Sequence, residues 1–336
     1  MNSLAIIIPA FKVTFFDKAL RSLAQQTNKN FTVYVGDDHS PDDLKSVCDK
    51  YNNSINIKYT RFNENIGAKQ LVKQWNRCVM LSGQEEWLWL FSDDDMADKN
   101  CVEVFYKTIQ EDNGRFDVYK FDKNIIDDND AIGEISPVSP FIEPSHLMAI
   151  EILMGRRGNC MPDHIFSRKV YEKNGGLVYT DYAQGADWAT SILFSSDKGI
   201  CTMQGAKINW RYGASNITGQ FQLNRNEKIK GYVQFLNWLL AHFNNPAHES
   251  KFPGFYSKIK DAAEMNLNVI LRNHYRKVGF ARYQDIYRFF LKTTKNSGKA
   301  IRKTNRLYFN ILLKPFMKTK MRSIKNRFIG FKMSVH

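Results

Sequence analysis

Trp87-Leu-Trp-Leu-Phe-Ser-Asp-Asp-Asp95 decides the fold: an apolar run breaks off abruptly into three consecutive carboxylates. Five apolar residues bounded by charge read as a strand buried on both faces of a mainly parallel sheet. Open α/β sheets bind ligands at the carboxyl ends of their strands, which is where Asp93, Asp94 and Asp95 fall. Three adjacent acids repel one another unless something positive stabilises their ionised form. Hard oxygen ligands in that place suit magnesium or manganese, which bridges protein carboxylates to substrate phosphates. A solvated acidic turn is the competing reading of the triplet taken alone.

The flanking sequence supplies the rest of the sheet. Leu4-Ala-Ile-Ile-Ile-Pro9 reads as a first strand, and Phe16, Leu20 and Leu23 recur with helical spacing within residues 15–26. Residues 31–35 predict a second strand that ends at Gly36-Asp37-Asp38-His39-Ser40. Ser40-Pro41-Asp-Asp has the form of a helix start: a capping Ser, Pro at the first position, acids in the first turn. Residues 55–59 predict a third strand, and residues 65–81 a long helix opened by Asn65-Ile-Gly67. Strand and helix in alternation predict a parallel, doubly wound sheet. Asp37 and Asp38 then share an edge with Asp93–Asp95, and two acidic strand ends there favour a ligand site over a simple turn.

The 336 residues are 43% hydrophobic and 13% aromatic, enough for a substantial core and too many for a disordered chain. The cysteines (48, 78, 101, 160 and 201) are odd in number, scattered and without a CxxC pair, which argues for a reducing compartment and against a zinc knuckle. The N-terminal apolar stretch is too short for a membrane span and lacks a basic leader, and no run reaches 18 apolar residues, so no crossing of a membrane is expected. The net charge of +14 is uneven: residues 251–336 carry 21 Lys or Arg against three acids, and no acid follows Asp285. This places a compositional boundary near residues 244–253 and implies an anionic partner for the tail.

The first hundred residues resemble the family 2 glycosyltransferases of the GT-A fold. The resemblance rests on Ile6-Ile-Ile-Pro-Ala-Phe11, Ser22-Leu-Ala-Gln-Gln-Thr27, Val35-Gly-Asp-Asp-His-Ser40, Asn63-Glu-Asn-Ile-Gly67 with Asn76, and Phe91-Ser-Asp-Asp-Asp95, in family order and spacing. It continues more loosely through Gly185-Ala-Asp187-Trp-Ala, which is similar to the segment of the family's catalytic acid. Trp210-Arg-Tyr-Gly-Ala-Ser-Asn-Ile-Thr218 looks like the strand and loop that close the sugar-donor domain. The implied architecture is a Rossmann-like mixed sheet in a catalytic domain over 1–220, donor-binding to about 105 and acceptor-binding from 106. A mainly helical, basic region over 221–336 would follow.

The resemblance implies transfer of a sugar from a nucleotide diphosphate to an acceptor hydroxyl, with inversion. A divalent cation, manganese or magnesium, would stabilise the departing diphosphate as a Lewis acid, and a carboxylate would take the acceptor's proton. Carried over residue by residue, Asp38 would contact the nucleobase, Asp94 the metal, and Asp93 the ribose or donor sugar. Asp95 would assist through water or a neighbouring contact. The family's Asp-x-Asp motif begins here with Ser92, which leaves the number of protein ligands open. Asp187 is the candidate base, with a helix-capping Asp as the alternative. Pro9 belongs to the donor site through the first motif. Asn65 and Gly67 shape the nucleotide pocket or simply form a cap and a turn. Lys69 reads as a solvated helix lysine in preference to a phosphate ligand. Asp163-His164 and Arg211 are weaker candidates, for acceptor or metal and for diphosphate respectively.

In the tail, Met317, Met321, Ile324, Phe328 and Phe331 recur at helical spacing with Lys and Arg between them. Such a stripe suits an anionic bilayer surface, or a helix docked on the catalytic domain. No nucleic-acid motif is visible, and nucleic acid is not an expected partner. The leading expectation is a metal-dependent inverting glycosyltransferase, cytoplasmic and peripheral at the inner face of a bacterial plasma membrane. It would act on a saccharide or lipid-linked saccharide in surface-polysaccharide synthesis (capsule, O-antigen or exopolysaccharide). A sugar-nucleotide nucleotidyltransferase is the second reading, although Pro9-Ala-Phe-Lys-Val-Thr14 lacks the glycine- and arginine-rich loop it needs. A lipid- or nucleic-acid-binding protein on an inactive scaffold is the third.

Overall fold

The computed structural model describes residues 3–213, 223–273, 280 and 282–313. The chain divides into two compact units, Met1–Gln220 and Phe221–His336. The first is built on one mixed sheet of ten strands: β1 (Leu4–Ala10), β2 (Phe31–Asp37), β3 (Asn56–Arg61), β4 (Trp87–Leu90), β5 (Met96–Ala97), β6 (Val118–Ile126), β7 (Ile132–Ile135), β8 (Ile142–Glu143), β9 (His164–Ser167) and β10 (Ile200–Arg211). The main order is β3-β2-β1-β4-β9-β6-β10-β5, with β7 paired to β6 and β8 to β10.

Strands β1 to β4 form the expected parallel half, with β1 between β2 and β4. β9 runs antiparallel between β4 and β6, so its first residue, His164, lies at the edge where the parallel strands end. β10 runs parallel to β6 and returns its carboxyl end, Arg211, to that same edge. Every line that matters chemically therefore converges on one edge.

Helices α1 (Phe16–Ala24), α2 (Leu44–Asp49), α3 (Gly67–Val79) and α4 (Cys101–Glu111) wind around the parallel half. Leu4, Ile6 and Ile8 pack with Phe16, Leu20 and Leu23 of α1 and with Phe105 of α4. Ala5 and Ile7, pointing to the other face, are equally buried. On that second face α3 approaches β2 so closely that a Cβ on Gly36 would lie 2.4 Å from Cys78 Sγ. Trp89 is fully buried, and its indole N–H donates to the Pro162 carbonyl at 2.8 Å, as a buried indole requires. Helices α5 (Ser145–Leu153), α6 (Arg168–Lys173) and α7 (Ala186–Phe194) complete the unit, with Phe194 of α7 edge-on to Phe166 of β9.

Three local expectations shift. The helix expected from Ser40 begins at Leu44, because Asp43 caps it by accepting from the Ser46 amide at 3.1 Å. Ser40 instead donates its hydroxyl to the Phe11 carbonyl at 2.6 Å, tying the ends of β1 and β2 together. The helix expected over 65–81 is Gly67–Val79 and is kinked at Gln70, whose φ of −130° and ψ of 52° are non-helical.

The second unit is helical: α8 (Arg225–Phe243), α9 (Pro246–Lys251), α10 (Phe255–Asn273), α11 (Tyr283–Thr294) and α12 (Ser297–Tyr308), ending in a wider turn at Phe309–Leu313. Its core is apolar at helical spacing, with Phe235, Leu239 and Phe243 on α8, Ile259, Ala263 and Leu267 on α10, and Phe289 and Phe290 on α11. The compositional boundary near 244–253 falls inside this unit, around α9, and is not a division between units. Among the described residues no helix is long and apolar enough to cross a membrane. The stripe from Met317 to Phe331, and residues 214–218 of the expected closing loop, lie outside the described residues.

Candidate active site

Two groups of acids meet at the carboxyl edge of the sheet, and their surroundings differ. Asp37 is fully buried and compensated: its carboxylate accepts from Arg61 at 2.7 Å, from the Tyr59 hydroxyl and from the Ser40 amide at 2.7 Å. Asp38 accepts from the Ile66 amide at 3.0 Å, from the Gly67 amide at 2.8 Å and from the Arg77 guanidinium. Arg77 in turn lies over the Phe62 ring, 3.8 Å from its centre. Gly67 permits this packing, since a Cβ there would lie 2.5 Å from Asp38 Oδ2. Asn65 is exposed and accepts from the Ala68 amide at 3.2 Å, closing the first turn of α3. Lys69 is exposed, and Pro9 is half-buried in β1 opposite Gly36.

The triplet after β4 is held differently. Asp93 Oδ2 accepts from the Phe11 amide at 2.8 Å and the Lys12 amide at 3.0 Å, which staples the exit of β1 to that of β4. Asp95 Oδ1 accepts from the Arg211 amide at 2.7 Å, while its buried Oδ2 has no hydrogen-bond partner. These bonds do not offset the loss of water. Burial raises the Asp93 carboxyl above its usual range and pushes Asp95 up to about 7. Asp94 is raised well above the usual range, first by burial and then by the charges of Asp95 and Asp93. Arg211 is buried completely and donates to the carbonyls of Asp94, at 2.9 Å, and Asp127, and to Asp130 at 2.6 Å. As placed, it fastens the backbone around the triplet.

Asp187 stands in the first turn of α7, two residues after Gly185, whose φ of 70° suits glycine. Its side chain is half-buried, and desolvation pushes its carboxyl up to about 7. The next residue, Trp188, donates its indole N–H to the Asn159 carbonyl at 3.1 Å. Residues 159–164 carry Asp163, buried and bridged to Lys123 of β6 at 3.1 Å. Asp163 also accepts from the Cys160 amide at 3.0 Å. His164 Nδ1 lies 2.9 Å from the Cys160 carbonyl, so Nδ1 carries the proton and the buried Nε2 is an acceptor without a partner. Burial lowers the imidazole to about 4 and keeps it neutral. The Lys123–Asp163 pair lies close enough to act electrostatically on both Asp95 and Asp187.

The edge thus gathers Asp38, Asp93, Asp94, Asp95 and Asp163, with Asp187 linked to them through one short segment. Sequence reading passed over Lys123, Lys120 and Asn159. Its signal was available: Lys120 and Lys123 stand within the strand Val118–Ile126, and a buried lysine needs a partner.

Comparison with known proteins agrees with this fold. The glycosyl transferase family 2 profile matches residues 5–174. Among solved structures, TarS of S. aureus (residues 1–349) in complex with UDP-GlcNAc superposes with a TM-score of 0.70 at 16% identity, over 94% of this chain and 92% of that one. The mannosyltransferase PcManGT of Pyrobaculum calidifontis, in complex with GDP-Man and Mn2+, gives a TM-score of 0.50 at 11% identity over 95% and 83%. GalNAc-T7 with UDP, GalNAc and Mn2+ gives 0.50 at 12% identity over 82% and 58%. No curated protein sequence matches significantly. With that profile spanning just over half its length and a GT-A sheet beneath it, the chain belongs to glycosyl transferase family 2 and is a glycosyltransferase.

Proposed function

We propose that the protein transfers a sugar from a nucleotide diphosphate donor to an acceptor hydroxyl by a single displacement with inversion. Asp187 is the general base in this reading. The observation that carries it is the place of that carboxyl, in the first turn of α7 beside the segment that delivers Asp163 to the sheet edge, where burial raises it to about 7 and makes it basic enough to accept a proton. Asp38, Asp93, Asp95, Pro9, Asn65 and Gly67 form the donor side, on the motif positions they occupy at the strand ends. The neighbours of this fold that hold UDP-GlcNAc, GDP-Man or UDP support a nucleotide-linked donor.

A divalent cation fits the residues present. The donors are hard carboxylate oxygens, Asp94 suffers the charges of two neighbouring acids, and Asp95 Oδ2 is buried without a partner. Among the described residues no three acidic, His or Cys groups converge on one point, and Asp94 is the residue that would hold the ion. When bound, such an ion supplies Lewis-acid stabilisation of the departing diphosphate. This chain's residues do the rest. Asp93 fixes the loop after β1 against the triplet, Arg211 fixes the triplet's backbone, and α7 presents Asp187.

The acceptor in this reading is a saccharide or lipid-linked saccharide of a bacterial surface polysaccharide, reached at the cytoplasmic face of the membrane. The support is basic surface: Lys292 and Lys295 near the end of α11, and Lys299, Arg302 and Arg306 of α12, are exposed, with Ile301 and Phe309 among them. The test is release of nucleoside diphosphate from a panel of UDP-, GDP- and dTDP-sugars with manganese, comparing wild type with Asp94→Ala. One donor turned over, and turnover lost with chelator or in the variant, is the expected result. Turnover of every donor unaffected by either would overturn the metal assignment.

A further inference from the structure

We infer that the buried Lys123–Asp163 ion pair is a positioning element for Asp187, supplying the local field in which that carboxylate works. The inference rests on the reading of Asp187 as base and adds to it residues that no motif marks. Lys123 and Asp163 are 5% and 0% exposed, and a pair so placed is costly unless its geometry satisfies both charges. Here it is satisfied. Lys123 Nζ is 3.1 Å from Asp163 Oδ2 and lies over the Trp210 ring, 5.2 Å from its centre. Asp163 accepts from the Cys160 amide and, at 2.8 Å, from the Cys160 thiol.

One segment joins this pair to the base. A Cβ on Gly158 would lie 3.2 Å from Lys123 Cε, so the chain there runs against the lysine stem. The following carbonyl, of Asn159, receives the indole N–H of Trp188, next to Asp187. Four residues further on the segment delivers Asp163. Lys123 from β6 and Asp163 from the turn Met161–Asp163 both act electrostatically on Asp187, together with the Trp188 amide of its own helix. Lys120 of β6, held by Ser139 Oγ at 2.8 Å, and neutral His164 of β9 surround the pair. Lys123 favours the ionised base and Asp163 opposes it, with Lys123 the stronger of the two.

The opposed signs give a test that a scaffold role does not reproduce. The acidic limb of the kcat profile is measured for wild type, Lys123→Met, Asp163→Asn and the double variant, with Asp187→Asn as reference. Lys123→Met moves the limb to higher pH by roughly one unit, and Asp163→Asn moves it to lower pH. The double variant orphans neither charge and moves the limb upward by less than Lys123→Met does. Lys123→Arg, which keeps the charge, leaves the limb within a few tenths of wild type. If a single variant fails to fold, the double variant and Lys123→Arg still decide the matter. Limbs that stay put, or move together in one direction, overturn the inference. A wild-type limb that survives in an active Asp187→Asn enzyme overturns instead the reading of the base, so the two failures are distinguishable.

Discussion

Asp37–Asp38 and Asp93–Asp95 follow two parallel strands at one edge of one sheet, and sequence alone gives them equal standing. The structure separates them by their partners. Asp37 and Asp38 are met by Arg61, Arg77, Tyr59 and three backbone amides, so burial costs them little and they serve to lock loops. Asp94 and Asp95, with Asp187 on α7, keep carboxyls raised by burial that nothing in the protein fully offsets. In the proposed reading, compensated acids build the site and undercompensated acids do its chemistry.

The largest effect should come from the second group. Asp187→Asn keeps the side chain's shape and removes the base, so kcat for transfer should fall by about 10²–10⁴ while the melting curve stays cooperative. An active Asp187→Asn would erase the distinction between the groups. The first group should respond in stability. Asp38→Ala leaves two amides unanswered and takes the carboxylate from Arg77, and should cost about 3 kcal/mol in denaturant unfolding, together with whatever it costs in donor affinity. A loss below half that figure would show that loop 62–67 holds without its acid.

A smaller effect should follow added manganese with a nucleoside diphosphate: a rise of several degrees in Tm for wild type and none for Asp94→Ala. The same addition should still stabilise a conservative Asp37→Asn protein. The smallest effect is on pH. Because the Asp187 carboxyl is raised to about 7 in the folded state, the fold binds its proton more tightly than the unfolded chain does. That contribution is complete below the usual carboxylate range and is lost as pH rises from there through about 7. Asp187→Asn should therefore gain on wild type at pH 8, by on the order of 1 kcal/mol given that its side chain is only partly buried, and match it near pH 4.

The parallel half was legible because β1, β2 and β4 are short apolar runs, and β2 and β4 break off into acids. β6 was harder to read because Lys120 and Lys123 interrupt it, and β9 because its four residues carry no periodicity. The insertion of β9 between β4 and β6 is a tertiary choice no local pattern announces. Ser40 misled because its capping chemistry is real but is spent on the Phe11 carbonyl. Arg211 gave no sign that its guanidinium would be consumed by backbone carbonyls. The acidic positions themselves were visible; which were compensated was not, since the compensating groups lie 20 to 40 residues away along the chain.

The most direct test of the account is the pH dependence of single-turnover cleavage of the preferred sugar nucleotide, with manganese, in wild type and Asp187→Asn. The account predicts a rate that rises tenfold per unit below about pH 7 and levels above it, and a variant slowed at least a hundredfold with no such limb. A variant that retains the wild-type rate and profile would contradict it.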